Sequence, residues 1–202
     1  MTYRHVLADD EQRELLRIAR ATVKEFLLSG RMPPGAPHRP SLLAPAAVFV
    51  SYHEGEELRG CIGTTHESSP LYKAVQEMAV AAASRDPRYR PIRLEELPSM
   101  TIEVSVLGDR AQVSSPDQVQ VGVHGLMVTS RGSAAQRGLL LPKVATEQGW
   151  DPEALFAHTC EKAGLPRDFW QSEEAQVERF TAQVFDEKTL RAGPFAPPKV
   201  ST

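Results

Sequence analysis

The sequence predicts an α+β fold, a mainly antiparallel sheet flanked by helices. Three observations carry this. Strand-like runs follow one another through short turns more often than through intervening helices, which disfavours a parallel sheet. The segment Thr101-Ile-Glu-Val-Ser-Val-Leu107 alternates, with Ile102, Val104 and Val106 on one face of a half-buried strand. And Ala46–Tyr52, the turn-forming HEGEE and the return segment LRGCIG read as a β-hairpin.

The remaining elements follow in order. Leu15, Ile18, Ala19, Val23, Phe26 and Leu27 recur at helical spacing, predicting an amphipathic helix over Asp9–Leu28 closed by Gly30. RMPPGAPHRPSLLAP has five prolines in fifteen residues and reads as an irregular link. Ser69-Pro70 predicts a serine cap and a first-turn proline for an alanine-rich helix over Leu71–Ser84, ended by Asp86-Pro87. Val119–Val123 and Leu126–Ser130 flank His124-Gly125 as a second hairpin. RGSAAQRG is a polar loop, Leu139–Leu141 a short strand stopped by Pro142, and Asp151-Pro152 the start of a helix closed by Gly164. AQVERFTAQVFDE returns to strand alternation, and a proline-rich tail fills 193–202.

The chain has 202 residues, 41% hydrophobic and 24% charged, enough to bury a core without covalent staples. A net charge of −3 argues against a nucleic-acid or anionic-membrane surface. No apolar run reaches the roughly 20 residues of a spanning helix, and MTYRHVLADDEQ lacks a secretory core. A cytoplasmic protein with two reduced cysteines, Cys61 and Cys160, is expected.

The chemistry concentrates in LRGCIG. If Leu58–Gly63 alternates as a strand, Arg59, Cys61 and Gly63 share one face, about 7 Å separating Arg59 from Cys61. A guanidinium so placed favours the thiolate, the attacking form of cysteine. Gly60 and Gly63 then read as clearance for a ligand or another backbone. The alternative is a buried structural cysteine beside a bulge.

LRGCIGT resembles the signature of the AMMECR (AMME chromosomal-region protein) domain family. ASRDPRYRPI, TIEVSVLG, VGVHGLMV, LLLPKVA, CEKAGLP and ERFTAQVFDE resemble that family's blocks in the same order, from about Leu15 to Glu187. The resemblance implies one AMMECR-like domain over 1–192, two-lobed with a cleft. Its prokaryotic members resemble protein A of the AmmeMemoRadiSam system, which implies Memo-like and radical-SAM proteins as partners. It implies no known reaction, and no cofactor is expected. Two departures stand out: Lys143 where the family usually has glutamine, and Tyr89 where it has phenylalanine.

The candidate catalytic residues are therefore Cys61, Arg59, His124 and Glu103. His124 or Glu103 would move protons, and each has a plainer reading, as a turn histidine or a solvated strand carboxylate. Gly60, Gly63, Arg88 and Lys143 are the candidate substrate-binding residues; Arg88 could clamp a carboxylate or phosphate, or simply close a helix end. Cys160 lies on the apolar stripe of its helix and reads as structural. The histidines and cysteines have no metal-ligand spacing, so no metal is expected. Two functions remain open: an enzyme or enzyme subunit working through Cys61 on a small molecule or protein group, and an adaptor in which LRGCIG is a structural strand.

Overall fold

A computed structural model describes residues 6–35, 37, 39–132 and 135–191. The proline-rich tail expected at 193–202 lies outside them. The fold is α+β, as the alternation and turn chemistry imply: among the described residues, a six-stranded antiparallel sheet in the order β2-β1-β3-β6-β4-β5, with five α-helices. The strands are β1 (Val48–Glu54), β2 (Glu57–Thr64), β3 (Met100–Gln112), β4 (Gly125–Ser130), β5 (Arg137–Leu140) and β6 (Ala175–Asp186). The helices are α1 (Asp9–Ser29), α2 (Leu71–Ser84), α3 (Pro142–Gln148), α4 (Pro152–Lys162) and α5 (Glu187–Arg191).

The chain divides into two compact units. One runs up to Val106 and resumes at Gln183; the other is Leu107–Ala182. Each has its own apolar core. In the first, Val48, Val50 and Tyr52 of β1 and Ile102, Val104 and Val106 of β3 pack with Leu15, Ala19 and Val23 of α1 and Leu71, Val75, Ala79 and Ala82 of α2. Alternation along β1 and β3 puts every second residue into this core. α2 lies against β1 and β2, and its alanines permit the close approach. Beneath it the Tyr52 hydroxyl donates to the Ala79 carbonyl at 3.0 Å. In the second unit, Leu126, Val128, Leu155, Phe156, Cys160 and Val177 form the core.

Three local expectations are corrected. Val119–Val123 is not a strand: it leaves a 3-10 turn and bends, and the His124 amide donates to the Gln120 carbonyl at 2.9 Å. The Gln120 amide in turn donates to His124 Nδ1 at 3.0 Å, so this histidine closes a turn ahead of β4 instead of sitting in a hairpin. Ser69 is not a side-chain cap; Pro70 is the cap residue and Leu71 the first helical one. Pro142 stops β5 but also opens α3, because its fixed φ and missing N–H suit a first helical turn. Asp151, by contrast, caps α4 as expected, accepting from the Ala154 amide at 2.8 Å.

Candidate functional site around Cys61

β1 and β2 pair with Cys61 opposite Ser51, and β1 and β3 pair with Ser51 opposite Glu103. Cys61, Ser51 and Glu103 thus stand in one row across three strands, on the sheet face turned away from α2. Two observations fix that face. A Cβ on Gly60 would point at the Ala82 carbonyl of α2, and a Cβ on Gly63 would meet the Phe49 ring. The Ser51 hydroxyl donates to Glu103 Oε1 at 3.3 Å. Ser51 is buried, as is Ser105 of β3 opposite Phe49 on the same face, while Cys61 and Glu103 are half-buried.

The glycines give clearance, and the protein itself occupies it. At Gly60 a Cβ would lie 2.2 Å from the Ala82 carbonyl oxygen; at Gly63, 2.2 Å from the ring of Phe49. Removing both side chains lets α2 and Phe49 settle directly on β2.

Arg59 departs from the expected arrangement. Tyr52 pairs with Gly60 but His53 with Leu58, so Arg59 is the extra residue of a β-bulge and simple alternation fails there. Its buried guanidinium forks between two carboxylates, Glu54 at 2.5 Å and Glu96 at 3.3 Å. Desolvation opposes its charge, yet Glu96 and Glu54 outweigh this and leave its pKa raised. Arg59 is committed to that ion cluster.

The cation beside Cys61 is Arg88. Cys61 lies on β2, an edge of the sheet, and its N–H and C=O both point outward because the Ser51–Cys61 pair is not hydrogen-bonded. The Cys61 amide donates to Asp86 Oδ2 at 2.8 Å, and Arg88 Nη2 donates to the Cys61 carbonyl at 3.0 Å. Asp86 and Arg88 are themselves joined through Nε–Oδ1 at 2.9 Å and Nη2–Oδ2 at 2.7 Å. Two side chains thus supply what a neighbouring strand would. The Arg88 hydrogen bonds hold Asp86 down to a pKa of about 2, against a desolvation that works the other way, with the Cys61 amide helping. Asp86 raises Arg88 in turn, burial opposes it, and the Cys61 thiol is among the smaller influences raising it further.

Glu103 is separated from β2 by β1, so it approaches Cys61 through Ser51 rather than as a direct strand neighbour. His124 and Lys143 belong to the Leu107–Ala182 unit. Burial first, then the charge of Arg179, lowers the His124 pKa, leaving a neutral ring that accepts from Gln120. Lys143 is half-buried in the first turn of α3. Cys160 is fully buried in the second core, where burial pushes its thiol pKa up. No group of three or more metal-ligating side chains is found among the described residues, nor any helix long and apolar enough to cross a membrane.

Sequence reasoning passed over Ser51 and Glu96. Ser51 is the polar interruption of an otherwise apolar run, VFVSY, and the hairpin register places it opposite Cys61. Glu96 holds Arg59 in its ion cluster, a long-range pairing that leaves no periodic trace.

Comparison with known proteins gives one consistent picture. The AMMECR1 family model matches residues 16–185. A protein of Methanothermobacter thermautotrophicus is 44% identical over 190 residues, covering 90% of this chain and 96% of its own. A protein of Pyrococcus furiosus is 40% identical over 188 residues, covering 88% of each. The crystal structure of an uncharacterised protein from Pyrococcus horikoshii aligns with a TM-score of 0.81 at 39% identity, over 89% of this chain and 92% of that one.

Proposed function

The chain belongs to the AMMECR1 family, and from that premise we propose that it is an enzyme, or enzyme subunit, whose working group is the Cys61 thiol. Its substrate is a small molecule or a protein group presented at the sheet face that carries Cys61, Ser51 and Glu103. The observation that carries the reading is the Arg88 guanidinium bound to the backbone carbonyl of Cys61, whose half-buried side chain stands in line with a hydroxyl and a carboxylate. Arg88 lowers the cost of the thiolate. Ser51 and Glu103 offer a path for a proton, with Glu103 as the group that holds it. A cytoplasmic setting, with Memo-like and radical-SAM proteins as companions, is part of this proposal.

A second reading has an observation of its own. Gly60, Gly63, Asp86 and Arg88 each have a structural task, packing α2 and Phe49 on β2 and closing the sheet edge. On that reading the protein is an adaptor and Cys61 is inert. Complementation of a deletion strain separates the two. Cys61→Ser should fail to restore the wild-type phenotype while keeping its fold and its affinity for a Memo-like partner. Full restoration by Cys61→Ser would favour the adaptor.

A further inference from the structure

Arg88 has donors to spare. Of its five N–H groups, Nε and the two on Nη2 are taken by Asp86 and the Cys61 carbonyl. Nη1 receives no hydrogen-bond partner among the described residues, and the side chain is 48% exposed, lying 5.3 Å from the Tyr89 ring centroid. The carboxylate that fixes it is 2% exposed, so the anion lies beneath and the guanidinium edge faces out. Arg90 repeats the arrangement: 61% exposed, it is held through both terminal nitrogens by Glu96, itself 12% exposed, which also binds Arg59. A guanidinium clamped along one edge by a buried carboxylate is pre-organised along its free edge.

We propose that the free Nη1 edge of Arg88 recognises an oxyanion, a phosphate or carboxylate on a small-molecule substrate, and so orients that substrate at Cys61. The inference rests on the reading of Cys61 as the working thiol and adds the class of molecule it receives. Recognition comes from directed donors and not from a broad field, because Glu54 and Glu95 offset Arg59 and Arg93 nearby. An overall charge of −3 agrees with local rather than long-range capture.

The test compares two alkylating agents of one chemistry, quantified at Cys61 by peptide mass. In each the thiolate forms a bond to carbon and iodide departs; iodoacetate carries a carboxylate and iodoacetamide does not. The ratio of their rate constants at Cys61 should exceed that ratio for glutathione about tenfold, the equivalent of roughly 1.4 kcal/mol of recognition. Arg88→Lys keeps the charge but loses the fork, and should bring the ratio back toward glutathione's. Inorganic phosphate and acetate are then added as competitors of iodoacetate. Stronger inhibition by phosphate assigns a phosphate ligand, and stronger inhibition by acetate a carboxylate. A ratio equal to glutathione's, with neither competitor acting, overturns the inference even if iodoacetamide reacts fast. A slow, ordinary iodoacetamide reaction with a raised ratio would instead sink the thiol reading and keep the anion site. Should Cys61 resist both reagents, or Arg88→Lys fail to fold, an NMR titration of the wild-type protein with inorganic phosphate decides. Saturable shifts at the Arg88 Nε–H and the Cys61 amide uphold the site, and their absence removes it.

Discussion

Asp86 and Cys61 are joined across 25 residues of sequence, the carboxylate Oδ2 accepting the Cys61 amide at 2.8 Å. One buried carboxylate therefore does two things: it satisfies an edge amide of β2 and it orients the guanidinium beside the thiol. Asp86→Asn should weaken both. A charged hydrogen-bond acceptor in such a place contributes about 2 kcal/mol, so urea unfolding should show a loss of that size. The acid limb carries its own signature. The folded pKa is lowered from 3.8 to about 2, so the stabilisation is fully present above about pH 4 and is lost as the pH falls through about 2. Wild-type protein should lose stability across that window, and Asp86→Asn should lose about 2 kcal/mol less there.

The two glycines of LRGCIG should differ in tolerance. At Gly60 a methyl group meets backbone, the Ala82 carbonyl, and the strand and helix must separate. Gly60→Ala should destabilise by about 3 kcal/mol. At Gly63 it meets the Phe49 side chain, which can turn away, so Gly63→Ala should cost about half as much. Adding Phe49→Leu should relieve Gly63→Ala and leave Gly60→Ala unimproved, as thermal denaturation of the double variants would report.

Arg59 is expected to matter for stability and not for the thiol. Its guanidinium is engaged by Glu54 and Glu96. Arg59→Met should lower stability by about 1–3 kcal/mol while leaving the Cys61 alkylation midpoint within about 0.3 pH units of wild type. A midpoint shift as large as that produced by changing Arg88 would reverse this assignment.

These contrasts show where the sequence was legible. Alternation, hairpin chemistry and caps are local, so the strands at β1, β2, β3 and β6 and the helices at α1, α2 and α4 could be read residue by residue. LRGCIG also announced itself, since glycines in a strand demand a reason. Simple alternation puts Arg59 on the face of Cys61, but a β-bulge breaks it there, and a bulge depends on the partner strand. Arg88 is a candidate binding residue from sequence, but its tie to Cys61 is a contact between a helix-end loop and a sheet edge, which no spacing encodes. The turn at His124 shows the same limit: valines at alternate positions look like a strand, yet here Val119 and Val121 pack into the second core from a bend.

Cys160 provides an internal control for any thiol measurement. It is fully buried, with its pKa raised by that burial. Its modification by a bulky disulfide reagent should follow global unfolding, accelerating with urea in step with loss of tertiary structure. Cys61 should react in the native state at a rate that urea changes little below the transition. Native-state modification of Cys160 at a rate comparable with Cys61 would contradict the packing described.

The account turns on the ionisation of Cys61 beside Arg88, and its alkylation rate by iodoacetamide as a function of pH reads this directly. On the proposed reading the midpoint lies below the ordinary thiol value of roughly 8.5. Arg88→Gln should return it to that value or higher. A midpoint near 8.5 in both proteins would contradict the account.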